Sequence, residues 1–253
     1  MPPGAGPVGF HYVSSPVVLI PGAPVLVPEL SGTAAVDNAR RVEQLCALVL
    51  EASRGCSRVL VVGTDPRQRN HAGVRSSLMR WGADVRVGRP EDPPAQPDAV
   101  PDPALIAWWL LDRIGSDLPR AFQGVHGDSD ALPEAEEDDL VVVVADGPAS
   151  LTPRAPVPED PRGVALDAAL ADWLRTGGAL PDPGATVAEA VGWWSRPAWL
   201  ALAGLVGGRG AGDALSWAPF GVGYHGARWA AVPPMTAVAG DEPAGVNASG
   251  PDA

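Results

Sequence analysis

Three short, β-branched apolar runs most constrain what this chain can fold into: Val17-Val18-Leu19-Ile20, Val59-Leu60-Val61-Val62 and Leu140-Val141-Val142-Val143-Val144. Each is too short for an ordinary helix, and none alternates with polar residues. That is the composition of strands buried on both faces. The first run is stopped by Pro21-Gly22-Ala23-Pro24. Prolines cannot donate to a ladder, so the chain leaves its sheet there. In an open α/β sheet, ligands sit outside the carboxyl ends of the strands. The 21–24, 64–70 and 146–152 loops are therefore expected to frame a cleft.

Helical patterns separate these runs. From Ser31 to Ser53, Val42, Leu45, Val49 and Ala52 recur at three- and four-residue spacing, and Gly55 lies beyond the end. Val74, Leu78, Met79 and Trp81 predict a short helix begun near His71, followed by an alternating strand over Asp84–Val87 nearer an edge. Asp102-Pro103, Asp160-Pro161 and Asp182-Pro183 each join an N-cap to a proline at the first helical position. They predict helices over 103–115, 161–176 and 183–194. A further helix is predicted over 193–206, restarting at Arg196-Pro197, and two closing strands over 214–218 and 224–232. Gly221 and Gly223 suit a tight antiparallel connection between these two.

The β-α-β alternation implies right-handed crossovers and a mainly parallel sheet. The expected fold is a three-layer α/β single domain, with a central mixed, mainly parallel sheet and helices on both faces. Residues 1–15 read as a flexible N-terminal arm, 16–234 as the domain and 235–253 as a disordered tail, both ends being rich in Pro and Gly.

A net charge of -12 argues against nucleic acid or an anionic membrane as a main ligand. No run approaches the ~20 apolar residues of a membrane helix, and no secretory-leader pattern opens the chain. Cys46 and Cys56 would lie roughly 15 Å apart on one helix, too far for a disulfide. A reduced, cytoplasmic protein is the expectation. The expected partner is an unidentified small molecule or protein, and an oligomer is left open.

Chemistry-bearing residues are sparse. His11, His71, His126 and His225 are not spaced as metal ligands with each other, with a cysteine or with a carboxylate. The glycine-rich 204–213 stretch lacks the Lys-Ser/Thr of a phosphate loop and follows a helix, so it reads as a connection. Glu134 to Asp139 reads as a solvated face within an acidic loop, 126–139, expected to be mobile. Trp108, Trp109, Trp173, Trp193, Trp194 and Trp199 lie in helical patterns and are expected in the core. Gly22, Glu29, Asp65, Asp146, Tyr224 and His225 remain as cleft candidates.

Several stretches, in order, resemble the class III extradiol ring-cleavage dioxygenase family, whose fold is shared by the Memo-like proteins. PGAPVLVPEL is similar to that family's strand-end motif PHPPLLVPEL, and LVVGTDP to the second-strand motif ending in GPSH. VVVVADGPAS resembles the strand and loop that read GDLSH in active members, and GWWSRPAW falls where Memo-like sequences have CGRHP. The ending APFGVGYHGARW is similar to APYGVGYFVASW, a closing-strand motif of a bacterial branch of unknown function.

The resemblance implies a non-haem Fe(II) held by two histidines and a carboxylate or cysteine, with a further histidine as acid/base. Carried over residue by residue, the metal-ligand positions are Gly22, Pro66 and Trp194, and the acid/base position is Ala149. None of these side chains coordinates a divalent metal or shuttles a proton. The expectation is a protein of this family that has lost the Fe(II) site, needs no cofactor and acts in binding or interaction. The alternative is an active, Fe(II)-dependent aromatic-ring dioxygenase whose ligands have moved to Asp65, Asp146, His71 or His225. A third reading is a structural protein of a larger assembly whose exposed tryptophans pack on a partner.

Overall fold

The computed structural model describes residues 14–32, 34–128 and 132–232. All but the last two residues of the expected N-terminal arm, the tail and residues 129–131 of the acidic loop lie outside them. Strand β1 (Val17–Ile20) leads through a 3-10 turn (Pro24–Leu26) into a short helix, α1 (Pro28–Ser31), and then α2 (Ala34–Ala52). Next come β2 (Arg58–Thr64), β3 (Asn70–Ala72), β4 (Ser76–Ser77) and β5 (Arg86–Val87), followed by α3 (Asp102–Arg113). The second half contains β6 (Arg120–Val125), β7 (Asp139–Val144), α4 (Pro161–Thr176), α5 (Ala185–Ala190), α6 (Arg196–Val206), β8 (Asp213–Trp217) and β9 (Tyr224–Trp229).

Seven strands make one sheet in the order β3-β6-β2-β7-β1-β9-β8. The central four, β6, β2, β7 and β1, are parallel, and the antiparallel β3, β9 and β8 complete the sheet at its two sides. The pleat divides the apolar runs between two cores. Val18, Ile20, Val59, Val61, Val142 and Val144 pack with α2 and α3 on one face. Val17, Leu19, Leu60, Val62, Val141 and Val143 pack with α4 and α6 on the other. The result is a three-layer α/β single domain with a mixed, mainly parallel sheet, as the strand pattern predicts.

The local readings need several corrections. No helix spans Val74 to Trp81. The segment holds β4 and a 3-10 turn, Met79–Trp81, because Arg75 exchanges backbone hydrogen bonds with Pro93 and Ala95 instead of with its own next turn. His71 starts no helix; it sits in β3, opposite Phe122. The strand expected over 84–87 shrinks to β5, which pairs only with β4 in a separate two-stranded sheet. It is held beside α3, where Gly88 N–H donates to Asp112. The helix expected over 183–194 is only α5, and the next begins at Arg196, because Gly192 turns the chain with φ +68°. Of the three Asp-Pro starts, Asp160 caps its helix. The Asp182 carboxylate accepts from Gly184 N–H one turn early, and that of Asp102 pairs with Arg80.

Cys46 and Cys56 are free thiols. Among the described residues no helix is long and apolar enough to cross a membrane.

Candidate functional site

Strands β1 and β7 are parallel neighbours, with Ile20 beside Val144 at their carboxyl ends. Beyond that point the chain from β1 passes to α2 on one face, and the chain from β7 passes to α4 on the other. Neighbouring strands whose connections part in this way leave a crevice at the sheet's edge. Gly22 and Asp146 meet across its floor, where Gly22 N–H donates to Asp146 Oδ1 at 3.0 Å. A Cβ on Gly22 would sit 3.0 Å from Val144 Cγ1 and 3.7 Å from Asp146 Oδ2, so a bare backbone there lets the Asp146 carboxyl approach.

The crevice opens into a cavity of about 620 Å³, well inside the range for small-molecule sites. Strand ends and loops on the sheet side supply Gly22, Thr64, Pro66, His126 and Asp146. The start of α3 adds Pro103, α5 adds Glu189, and the turn into α6 adds Trp193, Trp194 and Arg196. Helix α6 is anchored to β2 because Thr64 Oγ1 accepts from Ala198 N–H at 3.3 Å. That bond occupies a backbone N–H that a helix start otherwise leaves unpaired.

The electrostatics are uneven. Arg196, only 7% exposed, donates to Asp182 at 2.6 and 2.7 Å and to both carboxylate oxygens of Asp128. Its guanidinium holds both carboxyls below their ordinary range. Among the described residues Asp146 has no such cation. Burial raises its pKa to about 6, against a smaller lowering by the Gly22 N–H. Burial, together with the charge on Asp146, also pushes the Tyr224 hydroxyl well up.

Of the cleft candidates, Gly22 and Asp146 line the cavity, and so do Pro66 and Trp194. The other candidates do not. Glu29 is exposed on α1. Asp65 is 3% exposed and grips the Arg69 guanidinium at 2.8 and 2.9 Å; burial pushes its carboxyl up, but the bonds from Arg69 more than offset that. Tyr224 packs against Trp217 with ring centroids 5.6 Å apart. Ala149 is 2% exposed, its N–H bonded to Val191 O. His225 is fully buried, bonded to Ser216 Oγ at 2.8 Å and Asp167 Oδ1 at 3.0 Å, with Trp199 edge-on to its ring. This Ser-His-Asp chain has the members of a nucleophilic triad, yet none of the three lines the cavity, and it braces β9 against α4 and β8.

Trp194, expected in the core, is 55% exposed, because the turn after Gly192 sends Trp193 inward and its neighbour out. Among the described residues no three His, Cys, Asp or Glu side chains are gathered so as to hold a metal ion. Asp65, Asp146, His71 and His225 are not gathered into one ligand set among them. Sequence reasoning missed Arg196 and its two carboxylates, which lie 14 and 68 residues away in the chain, beyond any local spacing rule.

These features define a three-layer α/β protein with a ligand-sized crevice where its sheet connections diverge. Compared with models of protein families and with curated proteins, the chain matches none.

Proposed function

We propose that this protein is a non-catalytic relative of the class III extradiol dioxygenases that binds a small molecule in the cavity at the carboxyl edge of its sheet. One observation carries the reading. Gly22, Pro66 and Trp194, the positions where the resembled motifs place metal ligands, all face that one cavity, and none offers a ligand atom on its side chain. The space an active site would need is present, with a single isolated carboxyl, Asp146, at its floor. Ring opening by this family's chemistry calls for a metal and a base, and those positions supply neither.

The test is anaerobic reconstitution of the purified protein with Fe(II), followed by gel filtration, metal analysis and an assay for ring opening of catechol in air. The expected result is far less than one iron per chain and no ring-opened product. One tightly held iron per chain, or turnover of catechol, overturns the reading.

A further inference from the structure

We propose that the ligand of this cavity is a small organic cation: an ammonium group carried on a flat apolar or aromatic body. The inference rests on the binding reading above and names the class of molecule bound.

The charges of the cavity do not balance. Arg196 is its only arginine among the described lining residues, and that guanidinium is shared by Asp128 and Asp182. Asp102, at the rim, is matched by Arg80. Among the described residues Asp146 and Glu189 have no cation of their own, so the walls carry an excess of carboxylate. A negative group partly withdrawn from water attracts a positive guest more strongly than it would in bulk solvent.

Two features that could favour an anion are already occupied. Arg196 is doubly paired, and the Ala198 N–H at the start of α6 is bonded to Thr64 Oγ1. Asp146 uses Oδ1 to accept from Gly22, and its Oδ2 has no partner among the described residues, so one carboxylate oxygen remains to accept from an ammonium. The other walls suit the body of such a guest. Trp194, 55% exposed, offers an indole face, which attracts cations and stacks on flat rings, and Pro66, Pro103 and Pro197 add apolar lining.

Calorimetric titration at pH 7.5 and low salt tests this with three probes of one shape: phenethylammonium, neutral 2-phenylethanol and phenylacetate. The cation is expected to bind at least tenfold more tightly than the alcohol, and phenylacetate more weakly than either. Asp146→Asn should cost the cation tenfold or more and leave the alcohol unchanged. Trp194→Ala, at a position 55% exposed, should weaken the cation three- to tenfold. Phenylacetate binding as tightly as phenethylammonium, or a cation indifferent to both substitutions, overturns the inference while the non-catalytic binding reading survives. Uptake of none of the three overturns it as well. Retained iron or catechol turnover in the earlier assay strikes the binding reading itself.

Discussion

At the residue scale, Asp146 makes one distinct contribution to how stability changes with pH. Its folded pKa of about 6 lies above the ordinary carboxylate value, so between about pH 4 and 6 the native state holds more protons here than the unfolded chain. Stability is therefore lost as pH rises through that window, and the full cost is present above it. The raised pKa sets that cost at about 1–3 kcal/mol, allowing for partial access from the cavity. Asp146→Asn keeps an acceptor for Gly22 N–H and removes the charge. It is expected to stabilise the protein by that amount at pH 7.5 and to leave it unchanged at pH 4, as read from urea unfolding at the two values. Equal effects at both would show that Asp146 titrates normally. At this scale the sequence was only partly legible. Asp146 stands directly after an unmistakable buried strand, so its place at the sheet edge follows from position alone. Asp65 stands in the same relation to β2, but Arg69 in the same loop turns its carboxylate inward, and chain position carries no trace of that.

At the scale of elements, the close approach of α3 to β2 shapes one wall of the cavity. A Cβ on Gly63 would lie 2.4 Å from Pro103 Cβ and 3.3 Å from Phe122 Cε2. Gly63→Ala must push the start of α3 away, and overpacking of this kind costs about 1–3 kcal/mol. The expected outcome is a lower urea midpoint with an unchanged denaturant slope, and an unshifted midpoint would mean that α3 yields freely. The strands buried on both faces and the long helix α2 were legible because their period and composition agree. Strand β6 was not. Its segment Arg-Ala-Phe-Gln-Gly-Val mixes a cation, an amide and a glycine. Arg120 is buried there only because Asp112 and the carbonyls of Trp108 and Ser116 meet its guanidinium. The spacing of Val74, Leu78 and Trp81 imitates a helix face, while the backbone partners lie across a loop at Pro93 and Ala95. Both errors have one cause: hydrogen bonds to partners outside the segment overriding its local pattern.

At the scale of the whole molecule, the two cores share their strands. Each central strand gives alternate residues to opposite faces, so neither helical layer can come away without exposing the other side of the sheet. Thermal unfolding is therefore expected to be a single transition. The near-ultraviolet signal, weighted by the cluster of Trp173, Trp193, Trp199 and Trp229 on one face, should coincide with the far-ultraviolet signal of all the helices. Two separated midpoints would show that the layers are independent. The adjacent indoles Trp193 and Trp194 carry a practical consequence. One is 1% exposed and the other 55%, and Trp194 alone among the tryptophans is exposed. Red-edge excitation would select that solvated ring. A guest settling against it would shift its emission to the blue and shield it from acrylamide, so the protein carries its own optical reporter at the mouth of the cavity, with no dye attached.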